Sequence, residues 1–116
     1  MEQPRPHPGV GVTGVVGQWD VRIRTPIGSL STTYEFVVDG GALRGSATSR
    51  DETVALHDIT VTDEPDGQRV TWRQSVTRPM RLHLAFDVVV AGDRMTGHSR
   101  AGRLPRSAVT GVRRAR

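Results

Sequence analysis

The chain has 116 residues, among them sixteen arginines, no lysine, twelve acidic residues and no cysteine. This length allows one small domain with a single hydrophobic core and leaves no room for a second catalytic domain. Because cysteine is absent, disulfides, thiol nucleophiles and cysteine-ligated metal centres are excluded. The formal charge of +4 is carried by guanidinium groups alone, which is typical of the GC-rich codons of a high-GC bacterium.

Residues 1–14 are expected to form a flexible leader, since the prolines at positions 4, 6 and 8 cannot donate to a β-ladder. No apolar segment follows a basic start, and no apolar run approaches the roughly eighteen residues of a membrane helix. We therefore expect a cytoplasmic protein with no membrane partner. Its β-barrel domain is expected over residues 15–113, followed by a basic tail at 114–116.

From Trp19 onward, apolar and polar residues alternate with a period of two, the pattern of half-buried β-strands. The clearest run, residues 82–90, places Leu, Leu, Phe, Val and Val on one face. No stretch of ten residues has the helical spacing of apolar positions. The pattern predicts eight strands, at residues 18–25, 29–38, 42–49, 52–62, 69–77, 81–91, 94–100 and 106–113.

Glycine, proline and aspartate separate these strands, as in Asp39-Gly40-Gly41 and Ala91-Gly92-Asp93. A flat sheet of eight strands would leave two unpaired edges, and the chain has no helix to cover them and no lysine to guard them. Closure into a barrel removes both edges. The sequence therefore predicts an all-β fold, a single eight-stranded antiparallel up-and-down barrel, whose interior has room for side chains or one small ligand.

Two halves of the sequence are similar to each other at a period of about 52 residues. Trp19 and Trp72 each stand seven residues before a proline that an apolar residue follows. Each half then continues with Phe, Val-Val, Gly, and Leu or Met before a second Gly. This pattern predicts two four-stranded repeats related by a pseudo-two-fold axis. The alternative is that glycine, valine and proline recur by chance in an all-β chain.

Gly17-Gln18-Trp19, at the start of the first strand, and Arg113, at the end of the last, resemble the calycin signature of lipocalins and their relatives. The resemblance implies that the tryptophan lies near the floor of the barrel and that the arginine covers its ring in a cation–π contact. In size the chain is also similar to the small calycin-like cyclases of bacterial polyketide pathways, such as spirotetronate cyclases. That similarity implies cyclisation of a polyketide-like substrate inside the barrel.

If the apolar positions face inward, the interior is mostly apolar with a few polar groups, which suits a small-molecule site. Tyr34 and Gln74 are the candidate catalytic groups, because a phenol can donate a proton and an amide can hold a carbonyl or carboxylate oxygen. A third candidate is His57, since the change of phase at His57-Asp58 predicts a β-bulge that re-aims side chains. The predicted ligand contacts are Trp72, Phe36, Leu84, Phe86, Met95, Ser99 and Arg103.

Structural explanations compete with these roles. Tyr34 and Trp72 can simply fill the core, with their polar atoms bonded to the backbone, and His57 can lie in a solvated bulge. No two histidines stand at ligand spacing with a carboxylate, so no metal site is predicted. No cofactor is expected either, because the glycine-rich segments follow strands without opening helices and are turns.

Charge divides unevenly along the chain. Residues 1–93 hold nine arginines and twelve acids, a balance of −3, whereas residues 94–116 hold seven arginines and no acid, a balance of +7. Arg103 and its neighbours Arg100 and Arg106 are predicted at a barrel mouth, where they could hold an anionic group of the ligand. Nucleic acid is not the expected partner, because the five aromatic residues mostly face inward and leave no stacking platform.

We therefore expect a barrel that binds a hydrophobic, polyketide-like molecule and acts without a cofactor as a cyclase or isomerase, by holding its substrate in a reactive conformation. The alternative is a carrier or sequestering protein that needs the same cavity and no chemistry. A basic adaptor for nucleic acid or an acidic carrier protein is the third hypothesis. The sequence leaves a homodimer open.

Overall fold

The computed structural model describes residues 14–26, 28–50, 52–77 and 80–114. The predicted leader lies outside these ranges except for Gly14, as does the end of the predicted tail after Arg114. Seven of the predicted strands are confirmed to within two residues at each end. The strands are β1 (Gly17–Thr25), β2 (Gly28–Asp39), β3 (Ala42–Thr48), β4 (Thr53–Ala55), β5 (His57–Glu64), β6 (Gly67–Val76), β7 (Leu82–Ala91), β8 (Arg94–Ala101) and β9 (Ser107–Arg113).

All nine strands form one antiparallel sheet in the order β4-β3-β2-β1-β9-β8-β7-β6-β5. Most neighbours in this order are also neighbours in the chain, and β1 pairs with both β2 and β9. The strands at the two ends of the order, β4 and β5, follow each other directly in the chain, which brings the two edges of the sheet together. The sheet therefore curls into a nearly closed up-and-down barrel, and the predicted architecture is confirmed.

The predicted count of eight strands is wrong by one, because the segment 52–62 divides into β4 and β5 at Leu56. β4 pairs with β3 on one edge of the sheet, whereas β5 pairs with β6 on the other. A strand that leaves one partner for another must turn between them, and Asp58 adopts a left-handed backbone conformation there, with a φ of 55°. The predicted bulge is confirmed by a shift in register between His57 and Thr60.

The two predicted four-stranded repeats do not form separate units, since all nine strands share one sheet. Trp19 and Trp72 do lie on the first long strand of their halves, β1 and β6. Their surroundings differ, because Trp19 contacts Arg113 on the last strand and Trp72 packs against the ring of Phe86. Duplication therefore stays a prediction.

Four aromatic rings fill the centre of the barrel. Trp72 stacks on Phe86 with ring centroids 4.9 Å apart, and Tyr34 lies 5.4 Å from Trp72. Phe36 meets Trp72 edge-on, also at 5.4 Å. These side chains are at most 2% exposed, so burial of apolar area and ring packing together stabilise the centre of the fold.

The topology gives the barrel two different ends. The connections β1–β2, β3–β4, β6–β7 and β8–β9 lie at one end, which we call the open end. The connections β2–β3, β5–β6 and β7–β8 lie at the other end, which we call the floor, together with Gly14, Val15 and Arg113. No helix in the described ranges is long and apolar enough to span a membrane.

Candidate functional site

Arg113 and Trp19 close the floor of the barrel. The guanidinium carbon of Arg113 lies 4.4 Å from the centroid of the Trp19 ring, and Trp19 Nε1 donates a hydrogen bond to the Val15 carbonyl at 2.9 Å. Arg113 also donates to the carbonyls of Gly14 and Val16, at 2.8 and 2.7 Å. The contact that the lipocalin resemblance implies is present, and together with these hydrogen bonds it covers the floor.

Three buried side chains form a hydrogen-bonded group in the centre of the barrel. Tyr34 Oη donates to Gln74 Oε1 at 2.8 Å, and Trp72 Nε1 donates to the same oxygen at 3.0 Å. An indole N–H can only donate, so the Gln74 atom that faces it must be the oxygen. The two donors therefore fix the orientation of the Gln74 amide, which is only 5% exposed.

The Gln74 amide nitrogen is left as a donor. Gln74 Nε2 carries two hydrogens, and no described residue accepts a hydrogen bond from it. On β6, Gln74 stands one inward position nearer to the open end than Trp72. The Gln74 side chain is 5% exposed, and its nitrogen is not one of the fully buried polar atoms that lack a partner. The nitrogen therefore still reaches solvent, and this amide is suited to an acceptor oxygen that a ligand brings.

Tyr34 is a hydrogen-bond donor at neutral pH and not a base. Burial raises the pKa of its phenol well above its usual range, and the hydrogen bond to Gln74 offsets only part of that effect. The phenol proton is already donated to Gln74 Oε1. Tyr34 and Gln74 therefore bring neutral hydrogen-bonding groups to the interior, and neither titrates near neutral pH.

An apolar mouth lies between this polar group and the solvent. Leu84 pairs in register with Gln74 and is half-buried, as are Val76 and Leu82 nearer to the open end. Leu30, on the same face of β2 as the buried tyrosine, is 50% exposed. Since inward-facing apolar side chains still reach solvent here, the barrel is less tightly filled at the open end than at its centre.

The other predicted ligand residues lie at different depths. Phe36, Phe86 and Met95 are buried among other core side chains, in the centre or towards the floor. Ser99 is 3% exposed and pairs in register with Phe86. Arg103 is exposed in the β8–β9 connection at the open end. The structure thus places Leu84 in the mouth, the other predicted apolar contacts below it and the predicted cation on its rim.

His57 does not join the buried polar group. Its side chain is exposed, and it pairs in register with the exposed Arg73 on β6. The bulge therefore directs His57 to the outside of the barrel, away from Tyr34 and Gln74.

Arginines from all four connections surround the open end. Arg24 precedes the β1–β2 connection, whereas Arg50 and Arg81 lie in the β3–β4 and β6–β7 connections. Charge counted along the sequence does not reveal this set, because its members are far apart in the chain, although each stands beside a turn on the same end of the predicted barrel. We call these exposed residues the rim arginines: Arg24, Arg50, Arg81, Arg100, Arg103 and Arg106.

Two depressions on the described surface lie outside the barrel interior. One, of about 440 Å³, lies at the floor between Gly14, Gly67 and Arg113. The other, of about 720 Å³, runs over the outer face of β1, β2 and β9 beside Arg22 and Arg114. Within the described ranges, no three His, Cys, Asp or Glu side chains come together to hold a metal ion.

Comparison with models of protein families, with curated proteins and with solved structures finds no match for this chain. The nearly closed antiparallel barrel is compatible with a calycin-like fold. A likeness of fold would not by itself define a function, because one fold hosts many chemistries.

Proposed function

We propose that this protein binds a hydrophobic small molecule, which enters through the open end and places an acceptor oxygen, a carbonyl or carboxylate, on Gln74 Nε2. The observation that carries the proposal is the double acceptance by Gln74 Oε1. Because Tyr34 and Trp72 both donate to that oxygen, the amide nitrogen has no acceptor among the described residues. The half-buried apolar side chains of the mouth supply burial for the rest of the molecule.

Affinity and selectivity come from different parts of this site. Apolar surface removed from water contributes about 25 cal/mol per Å², so Val76, Leu82 and Leu84 favour any apolar ligand of suitable size. A hydrogen bond from Gln74 Nε2 adds about 0.5–1.5 kcal/mol. Its larger effect is selection, because a ligand without an acceptor leaves the buried amide unpaired. The site is therefore expected to prefer oxygen-bearing ligands over hydrocarbons of the same size.

Titration with 11-(dansylamino)undecanoic acid, a fluorescent fatty acid, tests the proposal. We expect saturable binding at one site per chain. Gln74→Leu should weaken binding of the probe about tenfold. This factor corresponds to about 1.4 kcal/mol, the free energy expected for the loss of one hydrogen-bond donor in a buried site. Gln18→Leu is the matched control, because Gln18 is exposed on the outer side of β1, and it should leave the affinity unchanged.

Gln74→Glu separates binding from folding. It keeps an oxygen acceptor for Tyr34 and Trp72 and replaces the donor nitrogen with a second oxygen. An ionised carboxylate in this buried position costs stability, so thermal unfolding measures whether the variant stays folded. The folded variant should lose affinity for the carboxylate probe, because its second oxygen repels the probe instead of donating to it. The proposal is contradicted if the wild type shows no saturable binding, or if Gln18→Leu and Gln74→Leu weaken binding equally.

A second candidate is a cofactor-free cyclase or isomerase that acts on the same bound molecule, and the protonated Tyr34 phenol favours it. A neutral phenol can polarise a carbonyl once its single proton turns from Gln74 Oε1 to the substrate, and confinement in a reactive conformation lowers the barrier further. Tyr34→Phe distinguishes the candidates with conjugated enones as substrates. Turnover that is lost while probe binding is kept indicates an enzyme, whereas no turnover by the wild type indicates a carrier. In either case we propose a cytoplasmic protein that needs no cofactor.

A further inference from the structure

The two ends of the barrel differ in charge. Among the described residues, the four connections of the open end and the residues that flank them carry six arginines, the rim arginines, and one acid, Glu52. The three connections of the floor, counted in the same way, carry five acids and one arginine, Arg94, and Arg113 at the end of β9 adds a second arginine to this end. These acids are Asp39, Asp63, Glu64, Asp66 and Asp93. The open end is therefore a basic surface and the floor an acidic one.

The ion pairs of the described residues do not neutralise the rim arginines. They join Arg44 to Asp39, Arg69 to Asp87, Arg113 to Asp93 and Arg114 to Asp20, and none includes a rim arginine. The carboxylate of Glu52 accepts hydrogen bonds from the backbone nitrogen and the hydroxyl of Thr77, at 2.8 and 2.9 Å. The positive charge of the open end is thus available to an external anion.

Large apolar side chains project from the same end. Met80 is 60% exposed in the β6–β7 connection, and Leu104 is 57% exposed in the β8–β9 connection. Leu104 is held on an ordered turn, because its N–H donates to the Ala101 carbonyl and its own carbonyl accepts from Arg100 Nε, both at 3.0 Å. An exposed leucine on a fixed turn loses little freedom when it is buried against a partner.

We propose that the open end docks on the surface of an anionic lipid bilayer, with Met80 and Leu104 among the headgroups and the rim arginines over the lipid phosphates. Guanidinium groups near a negatively charged bilayer surface favour binding electrostatically, and the apolar tips add burial in the interface. Docking of this kind needs no membrane-spanning segment, and it does not depend on which molecule the barrel binds.

The distribution of the apolar tips favours a lipid surface over an acidic protein. Met80 and Leu104 belong to two different connections, and Leu30 lies apart from both, near the start of β2. Protein interfaces, by contrast, centre on a continuous apolar patch that is enriched in aromatic residues. All five aromatic side chains of this chain are buried. Dispersed apolar tips among arginines match a fluid surface that adapts to each tip separately.

Co-sedimentation with vesicles tests the charge requirement. We expect binding to phosphatidylcholine vesicles that contain about 30% phosphatidylglycerol at about 0.1 M salt. Binding should be weaker by a factor of about ten or more on pure phosphatidylcholine vesicles, or on the anionic vesicles at about 0.5 M salt. Arg103→Glu combined with Arg106→Glu should lower the partition coefficient about tenfold or more. Arg94→Glu, which reverses an exposed arginine at the floor, is the matched control and should leave partition unchanged.

A single label tests the orientation. Because the chain has no cysteine, Leu104→Cys can carry one environment-sensitive nitrobenzoxadiazole group. Its emission should shift to the blue on anionic vesicles, whereas the same label at Val38→Cys, a position 50% exposed at the floor, should not respond. Circular dichroism of each labelled variant checks that the fold is kept.

Three results would overturn the proposal. They are no binding to anionic vesicles, equal fluorescence responses of the two labels, or a partition coefficient that the double Arg103→Glu, Arg106→Glu variant leaves unchanged. Capture of an acidic protein by the open end without vesicle binding would overturn it in favour of a protein partner. Binding of the dansyl fatty acid is measured without vesicles, so failure of membrane docking and failure of the ligand site are distinguishable.

Discussion

Tyr34 is the only tyrosine in the chain, and the chain has no lysine or cysteine, so its phenol is the one side chain whose ordinary pKa lies between about 9 and 12. Burial, only partly offset by the Gln74 hydrogen bond, raises the pKa of the folded state above the ordinary value of 10.0. Above pH 10 the unfolded chain therefore loses a proton that the folded chain keeps. The free energy of unfolding should keep its full value below pH 10 and fall by about 1.4 kcal/mol per pH unit above it. Tyrosinate absorbance at 295 nm should appear only as the protein unfolds.

Tyr34→Phe is the control for this alkaline transition. At neutral pH the variant should lose about 1 kcal/mol, because one hydrogen bond is removed while Trp72 still donates to Gln74 Oε1. Between about pH 10 and 12 its stability in urea should fall less steeply than that of the wild type. A tyrosinate signal near pH 10 in wild-type protein that remains folded would contradict the assignment of a buried, donating phenol.

At the scale of residues, alternation predicts which side chains are buried but not how they bond. Trp72 and Gln74 stand two positions apart on one strand, so a contact between them follows from strand periodicity alone. The bond from Tyr34 to Gln74 joins residues forty positions apart, and it depends on the curvature of the sheet, which periodicity does not contain. The direction of His57 is unpredictable for a similar reason, since a bulge changes which face the following residues occupy.

At the scale of elements, Gly97 on β8 lies directly against the backbone of β7. A Cβ atom there would lie 2.1 Å from the Asp87 carbonyl oxygen and 2.5 Å from the Val88 Cα. Backbone atoms cannot move aside as the end of a flexible side chain can, so Gly97→Ala must push the two strands apart. We expect a loss of about 2–3 kcal/mol in the free energy of unfolding, measured in urea.

Gly92→Ala is the matched control in the turn between the same two strands. Gly92 has a φ of 62°, and a Cβ there would meet no atom within 4 Å. The substitution therefore introduces only backbone strain, expected to cost about 1 kcal/mol. If the two variants lose equal stability, the contact between β7 and β8 is not what restricts position 97 to glycine.

The strands themselves follow from the sequence more closely than their pairing does. Alternation and glycine turns locate seven strands to within two residues at each end. The division of 52–62 into β4 and β5 is different, because a hydrophobic pattern reports which face is buried and carries no information on which neighbour a strand pairs with. Only closure of the barrel requires this segment to change partners at Leu56.

At the scale of the whole molecule, folding divides the basic segment that the sequence places at residues 94–116. Arg94 and Arg113 lie at the floor with Asp93, and Arg113 pairs with that carboxylate at 2.8 Å. Arg100, by contrast, lies at the open end with the other rim arginines. A charge count along the chain cannot separate these groups, because antiparallel strands carry neighbouring residues to opposite ends of the barrel.

Arg113 joins parts of the molecule that are distant in the chain, since its hydrogen bonds to Val16 and Gly14 span 97 and 99 positions. Arg113→Met keeps apolar contact with Trp19 but removes the charge and the donors, so we expect a loss of about 2–3 kcal/mol in urea unfolding. Arg114→Met is the matched control, because Arg114 forms an exposed ion pair with Asp20 at 2.6 Å and such pairs contribute about 0–1 kcal/mol. Equal losses in the two variants would mean that packing, and not the Arg113 hydrogen bonds, holds the floor closed.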